Sequence, residues 1–391
     1  MTVDAEFLGY RRADGRVGVR NHVLVVPTVI CAAVVAERIA AEIAPMAAAL
    51  PHLAGCGQIG PDLTVTHETL AAYCTHPNVG AVLVVALGCE QVVAQHLAEA
   101  ARRSGKPAEI VAIQSEGGTL RATARGREIA RAFAGDLARV ERTWCNVSSL
   151  VIAAKCGGSD YTSGLAANPV VGRVADRVVD LGGAVVLGEI AEIMGAEHLL
   201  AERAATPDAA RRLLRVVSRV EAEAMALGVD IRGTQPSPGN IRGGVTTIEE
   251  KSLGATHKAG QRTRLEDVVA YAGAITRKGL TVMDTPGLDV ESVTGMVGGG
   301  AQIVLFTTGL GTPTGNPIAP VMKLTANART AKTMADNIDV DVSGVIAEAE
   351  SLDEAADRLF HGMLDVCSGT PTATERLGHG EFAIHRRNPT I

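Results

Sequence analysis

Aromatic side chains are scarce in this sequence: five Phe, four Tyr and one Trp make up 3% of its 391 residues. Proteins that bind single-stranded nucleic acid stack its bases on such side chains, so a surface of that kind is not expected. A basic excess is also missing, because Lys and Arg (37) are fewer than Asp and Glu (43) and the formal net charge is −6. Neither nucleic acid nor an anionic membrane is therefore predicted as a partner.

Long apolar runs and an N-terminal targeting pattern are absent as well. The longest apolar stretches, such as AVLVVAL at 81–87, have the length of a strand, far short of the roughly 20 residues that cross a bilayer. Residues 1–9 lack the charged start and apolar segment of a secretion signal. We therefore expect a cytoplasmic protein without membrane spans.

The cysteines do not predict a disulfide framework, because there are seven of them in a long chain without a secretion signal. No Cys-x-x-Cys spacing occurs. Cys56, Cys89 and Cys156 each lie beside glycine at a predicted loop or strand end, where they either fill a turn or bind iron. Iron could be held in an iron–sulfur cluster by three thiolates, or as mononuclear Fe(II) by one or two thiolates with His52 and a carboxylate. The remaining thiols are expected to pack as small apolar side chains: Cys31, Cys74, Cys145 and Cys367.

Apolar, β-branched runs alternate with amphipathic stretches along the chain. This alternation predicts an α/β fold with mostly parallel sheets flanked by helices, similar to a Rossmann fold but without its dinucleotide fingerprint. We place an N-terminal α/β domain at 1–145 and a C-terminal α/β domain at 146–391. The predicted strands are HVLVVPTV, AVLVVALG, EIVAIQ, SLVIAAK and GAVVLGE, and the predicted helices are 31–43, 91–104, 120–133, 169–181 and 198–227.

Residues 228–260 interrupt this alternation, since they are rich in glycine and carry little periodic apolar character. They predict a long functional loop in the second domain. Its hydroxyl, amide, carboxylate and amine groups are suited to a polyhydroxy acid and to proton transfer. TTIEEK also fits a helix start with threonine as its cap. The candidate residues of this segment are Ser237, Asn240, Thr246, Thr247, Glu250, Lys251 and His257.

Five apolar runs end in polar or glycine-rich turns: GCEQ, KCGGSD, GEIAE, DTPG and TTGLGTPTG. In open α/β sheets, ligands bind beyond the carboxyl ends of the strands, so a site is expected where these turns meet. The last turn resembles an anion-binding turn but lacks the Gly-Lys-Ser/Thr of a nucleotide-binding P-loop. The candidates here are Lys155, Ser159, Asp160, Thr307 and Thr308.

A basic stretch before the first long strand, YRRADGRVGVRN, contains Arg16, Arg20 and Asn21. Guanidinium groups bind carboxylates through two parallel hydrogen bonds, so this stretch is a candidate substrate clamp. A solvated basic hairpin is the alternative.

Several motifs, in order, resemble those of the altronate/galactarate dehydratase family over residues 8–345. They are GYRRADGRVGVRN, GCGQ, LGCE, KCGGSD with SGLAANP, PSPGN with GGVTTIEEKSLG, and FTTGLGTPTGNP. Members of this family include sugar-acid dehydratases and the large subunit of a sulfolactate sulfo-lyase.

The resemblance implies an iron-dependent lyase that removes a β leaving group from a 2-hydroxy acid and gives a 2-oxo acid. It implies acid or base roles among Lys155, Glu250, Lys251 and His257, and iron ligands among Cys56, Cys89, Cys156 and His52. The small N-terminal domain of many members does not precede GYRRADGR, so a separate small subunit is expected, and a homo-oligomer is left open. A non-catalytic binding or regulatory subunit is the competing hypothesis.

Overall fold

Three β-sheets form the framework of the chain, whose computed structural model describes residues 5–391. A small antiparallel sheet has the strand order β2-β1-β7. Its strands are β1 (Glu6–Arg11), β2 (Val17–Gly18) and β7 (Thr143–Asn146). Within residues 5–391, no helix is both long and apolar enough to span a membrane.

The other two sheets are entirely parallel. One has four strands in the order β4-β3-β5-β6, and the other has seven in the order β10-β11-β9-β8-β12-β13-β14. The four-stranded sheet consists of β3 (His22–Pro27), β4 (Ala47–Ala49), β5 (Val79–Ala86) and β6 (Ala108–Ala112). The seven-stranded sheet consists of β8 (Val151–Cys156), β9 (Ala184–Leu187), β10 (Leu265–Val269), β11 (Gly279–Met283), β12 (Ile303–Thr307), β13 (Val321–Thr325) and β14 (Val340–Asp341).

Helices connect the strands and cover both parallel sheets, which confirms the predicted α/β class. The first domain contains α1 (Ile30–Ala40), α2 (Pro61–Thr75), α3 (Ala94–Arg103) and α4 (Thr119–Leu137). The remaining helices are α5 (Asn168–Asp180), α6 (Ile190–Ile193), α7 (Glu197–Glu202), α8 (Pro207–Ala226), α9 (Ile231–Thr234), α10 (Pro238–Arg242), α11 (Ile248–Thr256), α12 (Asp289–Gly298), α13 (Ala328–Thr333), α14 (Ser343–Ile346), α15 (Leu352–Cys367) and α16 (Ala373–Leu377). Single turns of 3-10 helix occupy Ala41–Ile43, Val147–Ser149 and His257–Ala259.

The five predicted strands correspond to β3, β5, β6, β8 and β9. All eight residues of β5, VGAVLVVA, are buried. A parallel strand covered on both faces reads as a continuous apolar run, which is why these strands were visible in the sequence. The two parallel sheets also share one apolar cluster, in which Leu24 and Val84 of the first pack with Val186 and Val304 of the second.

The predicted continuous helix 198–227 is wrong, because the structure divides it into α7 and α8. Thr206 caps α8 by accepting a hydrogen bond from the Ala209 N–H at 3.1 Å, and Pro207 occupies its first position. Proline fits the first turn of a helix and disrupts an interior, so the chain ends one helix and starts another here.

The predicted long loop at 228–260 is also wrong, because this segment forms α9, α10, α11 and the 3-10 turn that follows. Ser237 and Asn240 form a reciprocal capping box at the start of α10. Thr247 caps α11 by accepting from the Glu250 N–H at 3.1 Å, which confirms the helix start suggested by TTIEEK. Helices of four to nine residues are too short to show a clear apolar stripe, so the composition resembled that of a loop.

Gly172 of α5 allows the 3-10 turn to pack directly on that helix. A Cβ at this position would lie 2.0 Å from the carbonyl oxygen of His257. By contrast, a Cβ at Gly135 of α4 would face open space. Apart from the adjoining backbone of its own helix, no atom would lie within 4 Å of it. One helical glycine is therefore required by packing, and the other is not.

We predict that Gly172→Ala lowers the free energy of unfolding by about 1–3 kcal/mol, the usual cost of overpacking. Gly135→Ala, the matched control, should raise it by up to about 1 kcal/mol, because alanine is the better helix former. Chemical denaturation of both variants measures the difference. Equal effects of the two substitutions would show that the close packing of α5 is not what constrains Gly172.

Candidate active site

Four of the five polar turns meet at one edge of the seven-stranded sheet. The central strands lie in the order β11-β9-β8-β12, and their carboxyl ends lead into DTPG, GEIAE, KCGGSD and TTGLGTPTG. Because parallel strands all end at the same edge, the expected meeting of these turns is confirmed for this sheet. GCEQ follows β5 and belongs to the other parallel sheet.

Cys156, the last residue of β8, is the centre of one buried cluster. Its Sγ hydrogen bonds to the Glu192 carboxylate and lies 2.9 Å from the Ser159 Oγ. Lys258 Nζ lies 3.0 Å from the Glu192 Oε1. Burial, reinforced by the Glu192 charge, raises the pKa of the Cys156 thiol to about 11. The thiol is therefore protonated at neutral pH and donates to the carboxylate.

Lys155 forms a second buried cluster on the opposite face of β8. Its ammonium pairs with the Glu189 carboxylate, lies 2.7 Å from Asp289 Oδ1 and donates to the Cys156 carbonyl oxygen at 2.6 Å. Burial acts to lower the pKa of Lys155, but the nearby carboxylates of Glu189, Asp289 and Glu192 outweigh it and hold this pKa well above the ordinary value. Lys155 is therefore a fixed positive charge beneath the site.

Glu189 is held in a strained backbone conformation at the end of β9. Its φ is 64°, in the left-handed region that residues other than glycine rarely adopt. The Thr285 Oγ1 accepts its N–H at 2.6 Å. Burial raises the pKa of the Glu189 carboxyl, although Lys155 counteracts the effect. Backbone strain of this kind concentrates at functional sites, and Glu189 lines one of the two cavities beside Cys156.

Two cavities open beside Cys156. One, of about 410 Å³, is called the polar cleft because the charged and amide side chains of Glu189, Glu192, Gln235 and Asp289 are in its lining. The second, of about 480 Å³, lies against α11 and includes His257. Cys156, Ser159 and Lys251 line both cavities. The half-buried Lys251 donates to the Gln235 Oε1 at 3.2 Å, so its ammonium group lies where the two spaces meet.

Asp160 holds the KCGGSD turn in place. Its Oδ1 accepts from the Thr162 Oγ1 at 2.6 Å and from the Ser163 N–H at 3.1 Å. Its Oδ2 accepts from the Asn327 Nδ2 at 2.8 Å. The next residues form a π-helical turn, Ser163–Ala167, which lines the larger cavity and leads into α5. Such turns occur frequently at functional sites.

The predicted residues of 228–260 lie around the cleft in different roles. Asn240 donates to the Ser159 carbonyl oxygen at 2.8 Å and so ties α10 and its cap, Ser237, to the KCGGSD turn. The exposed Glu250 accepts from the Thr246 N–H at 2.7 Å, and the side-chain hydrogen bond from Thr246 lowers its pKa. Lining the larger cavity are Thr247, Glu250, Lys251 and His257.

His257 is half-buried beside that cavity. Burial, followed by the charge of Arg203, lowers its pKa. Thr307 and Thr308 are buried behind the turn instead of lining either cavity. Thr307 donates to the Asn168 Oδ1 at 2.6 Å, and Thr308 accepts from the Gly311 N–H at 2.9 Å.

The predicted basic clamp lines neither cavity. Arg20 forms an ion pair with Glu375, with 2.6 Å between Nε and Oε1, and Arg16 forms one with Asp14 at 2.6 Å. Asn21 hydrogen bonds within the same region. These residues hold the segment before β3 against the rest of the chain, and the structure does not bring them to Cys156.

The four predicted iron ligands are not gathered around one ion. Cys56 and Cys89 are exposed on loops of the four-stranded sheet, whereas Cys156 is buried at the seven-stranded sheet. Cys31 is exposed too, so the expectation that it packs as an apolar side chain is wrong, whereas Cys74, Cys145 and Cys367 are buried as expected. Both ring nitrogens of His52 hydrogen bond to neighbouring backbone. The described part of the chain contains no group of three or more His, Cys, Asp or Glu side chains that could hold a metal ion. Around Cys156, the carboxylates of Glu189, Asp289 and Glu192 already pair with the ammonium groups of Lys155 and Lys258, so this donor set does not fit a resident cation.

Two sequence families match the chain. Residues 147–390 match the family described as D-galactarate/altronate dehydratase, C-terminal, and residues 9–138 match D-galactarate dehydratase/altronate hydrolase, second domain. The chain belongs to the galactarate/altronate dehydratase family. The resemblance inferred from the motifs is therefore confirmed.

Similar proteins are found in several bacteria. The (2R)-sulfolactate sulfo-lyase subunit beta of Chromohalobacter salexigens is 41% identical over 97% of both chains. Altronate dehydratase of Bacillus subtilis is 36% identical over 98% of this chain and 78% of that protein. Galactarate dehydratase (L-threo-forming) of Escherichia coli is 32% identical over 98% of this chain and 77% of its own. Since these relatives are dehydratases and a sulfo-lyase, the predicted lyase class is confirmed.

The residues that sequence reasoning missed in this dehydratase-family chain are charged groups within apolar or glycine-rich segments. Glu189 and Glu192 lie in GEIAE, a turn singled out only as a turn. Lys258 follows His257 directly, and Asp289 begins α12. Lys323 interrupts the buried strand PVMKLT, just as Lys155 interrupts SLVIAAK. A lysine inside an apolar strand was the available signal, because burying its charge is costly unless another buried group pairs with it.

Lys155 and Lys323 lie in register on either side of Phe306 in three adjacent strands. The Lys323 Nζ is 3.3 Å from the centroid of the Phe306 ring and has no hydrogen-bond partner among residues 5–391. Burial lowers the pKa of Lys323 to about 7. Between pH 7 and about 10 the unfolded chain therefore holds a proton that the folded chain lacks, and stability should rise with pH by about 1.4 kcal/mol per unit from this group.

We predict that Lys323→Met removes this pH dependence. The variant's gain in stability over the wild type should be largest near pH 7 and shrink toward pH 10, as measured by urea denaturation at a series of pH values. Lys332→Met, which alters an exposed lysine, is the control and should leave the slope unchanged. A difference between variant and wild type that is constant across this pH range would contradict the prediction.

Proposed function

We propose that this chain is the large subunit of a lyase that eliminates sulfite from (2R)-sulfolactate and gives pyruvate, a 2-oxo acid. The observation that carries the proposal is the polar cleft in which the Glu189 carboxylate and the Lys251 ammonium line one space beside Cys156. The match to the sulfo-lyase beta subunit over 97% of both chains supports sulfolactate as the substrate.

Elimination requires a base that removes the weakly acidic proton from C2 of the substrate. It also requires positive charge that binds the substrate carboxylate next to C2. Glu189 is suited to the first role, because burial raises its pKa and increases its basicity. Lys251 is suited to the second, since it is a cation with direct access to the cleft. The buried Lys155 adds a fixed positive charge that stabilises negative charge developing at the substrate.

In the proposed reaction, the Glu189 carboxylate takes the proton from C2 of the substrate. The electron pair of that C–H bond forms the C2–C3 double bond, and the C3–S bond breaks with its pair to release sulfite. The resulting enol takes up a proton at C3 and loses its hydroxyl proton to the solvent, which gives the 2-oxo acid. Because sulfite leaves as a stable anion, this reaction needs no acid at the leaving group, whereas loss of hydroxide does.

We also propose an iron requirement, which the family motifs imply. Iron would supply Lewis-acid polarisation of the substrate. None of the steps above is assigned to iron, because the donor set around Cys156 does not fit a cation.

A sugar-acid substrate is the second candidate, favoured by the size of the site. Cavities of about 410 and 480 Å³ share Cys156, Ser159 and Lys251 and offer more room than a three-carbon acid needs. The altronate and galactarate dehydratases among the relatives point in the same direction. For such a substrate, the proposed acid that protonates the departing hydroxide is the thiol of Cys156 or the ring of His257, both of which line the larger cavity.

A separate subunit is part of the proposal, because the sulfo-lyase relative is itself named as a subunit. A non-catalytic role is less well supported, since the cleft retains charged groups whose burial costs stability without serving partner binding. Activity of the purified protein distinguishes these alternatives.

The substrate is tested by incubating the anaerobically purified chain, alone and with its partner subunit, with sulfolactate, altronate or galactarate. We expect sulfite and pyruvate to appear together from sulfolactate. A 2-oxo-3-deoxy acid from altronate or galactarate would instead identify the second candidate. If none of the three substrates yields a 2-oxo acid with the complete complex, the lyase assignment is contradicted.

We predict that Glu189→Gln and Lys251→Met each lower kcat/KM by about 10²–10⁴-fold, the usual contribution of a positioned acid–base or charged group. Glu109→Gln and Lys332→Met alter exposed residues of the same charges and are the controls. Wild-type kcat/KM in Glu189→Gln would show that another group takes the proton.

A further inference from the structure

Asp289 lines the polar cleft, yet the reaction proposed above gives it no role. It is the first residue of α12, and its side chain is 27% exposed, so it has access to the cleft. Its Oδ1 lies 2.7 Å from the Lys155 Nζ. A carboxylate in this position either stabilises the N-terminus of the helix or acts on the reaction through Lys155.

The Lys155 ammonium joins Asp289 to the proposed base, Glu189. An ammonium group has three N–H donors. The acceptors around Lys155 are also three, namely the Glu189 carboxylate, the Asp289 Oδ1 and the Cys156 carbonyl oxygen. Lys155 is fully buried, so solvent does not compete for its donors. Two carboxylates therefore share one ammonium group whose orientation is fixed by its three acceptors.

Gly157 makes room for this arrangement. A Cβ at Gly157 would lie 2.3 Å from the Asp289 Oδ2 and 2.8 Å from the Phe306 Cζ. The φ of Gly157 is not in the left-handed region, so its backbone conformation alone would accept alanine. The first glycine of KCGGSD is therefore required by the close approach of these side chains.

Several titratable groups lie around Glu189, and each comes from a different place in the fold. They are Lys155 and Cys156 of β8, Glu192 of α6, Lys251 of α11 and Asp289 of α12. Burial raises the pKa of the Glu189 carboxyl, whereas Lys155 acts to lower it. A cation that is shared with a second carboxylate favours the ionised form of Glu189 less than one that Glu189 holds alone. Asp289 therefore leaves Glu189 a stronger base.

We propose that Asp289 is a positioning residue for the elimination. It holds the Lys155 ammonium between two carboxylates, so that Glu189 is fixed in place and remains basic enough to take the proton from C2. The role rests on the proposed function of Glu189 as the base. It holds for either candidate substrate, because both lose a proton from C2.

The role is tested first by the kinetics of Asp289→Asn. Asparagine keeps an oxygen that accepts from Lys155, so the variant should fold, but it removes the charge. We expect kcat to fall by about 10–100-fold, because the base is weaker and less well placed. KM should not rise, since the loss of a negative charge favours the binding of an anionic substrate. An unchanged kcat would show that Asp289 serves only the stability of α12.

The pH dependence of kcat/KM gives a second measurement, because its acid limb reports the protonation of the base in the free enzyme. In Asp289→Asn this limb should move to lower pH by about one unit, since Lys155 then acts on Glu189 alone. Gly157→Ala should move it in the same direction, because the added methyl group displaces the Asp289 carboxylate without changing any charge. A limb that stays at the wild-type pH in both variants would overturn the proposal.

Two matched controls separate this role from general effects of the substitutions. Asp208 lies in the first turn of α8, as Asp289 does in α12, and its side chain is 57% exposed. Asp208→Asn therefore removes a charge from a helix N-terminus away from the cleft. Gly135→Ala adds a methyl group in open space. Both controls should keep the wild-type kcat and acid limb, and a shift as large as that of the test variants would overturn the assignment.

A measurement without substrate separates the positioning role from the proposed function. The difference in the free energy of unfolding between the wild type and Glu189→Gln reports the protonation of Glu189 in the folded chain. Because folding raises the pKa of Glu189, its contribution to stability falls as the pH rises through that pKa. With Asp289→Asn in both chains, this fall should be complete at a lower pH.

The two kinds of failure are then distinguishable. A chain that converts no 2-hydroxy acid would contradict the proposed function, while a fall at lower pH in the Asp289→Asn background would still support the control of Glu189 by Asp289. An active chain in which the fall occurs at the same pH with and without the Asp289 carboxylate would overturn the positioning role and leave the lyase assignment intact.

Discussion

Lys155 and Lys258 are fully buried ammonium groups near the ends of the central strands, and the geometry of the candidate site depends on the carboxylates that neutralise them. Lys155 pairs with Glu189 and Asp289, while Lys258 pairs with Glu192. Transferring such charges from water costs several kcal/mol each, and only close pairing offsets the cost. Each pair therefore fixes the position of elements that lie far apart in sequence: β8, the turn after β9, α12 and the 3-10 turn after α11.

This network also explains why the thiol of Cys156 does not resemble a metal ligand. Metal binding requires the thiolate, whereas burial and Glu192 favour the protonated form. The same network leaves Glu189 and Lys251 as charged groups with access to the cleft. The proposed chemistry of the cleft is accordingly that of a base beside cations.

The sequence was most informative where one strand or one turn carried the information by itself. The buried runs identified the central strands, and KCGGSD correctly marked the edge at which the polar turns meet. Glu189, Glu192, Asp289 and Lys258 were missed because their importance depends on their partners. Those partners are set by strand order, which the periodicity of a single segment does not encode.

Local composition misled the interpretation in two further places. Residues 228–260 are helical because capping groups such as Ser237 and Thr247 start helices too short to show a periodic pattern. Arg20 looked like a substrate clamp, but its partner Glu375 is 355 residues away and could not be inferred from the surrounding sequence. Cys31 was expected to pack as an apolar side chain, but it is exposed in the first turn of α1.

A double-mutant cycle on Lys258 and Glu192 tests the central claim about the buried network most directly. Lys258→Met and Glu192→Gln should each lower the free energy of unfolding by about 3–5 kcal/mol, because each leaves a buried group without its partner. The double variant should lose less than the sum of the two by more than about 1 kcal/mol, as expected for residues in contact. Effects that add to within about 0.5 kcal/mol would contradict the account, because they would show that the two side chains do not depend on each other.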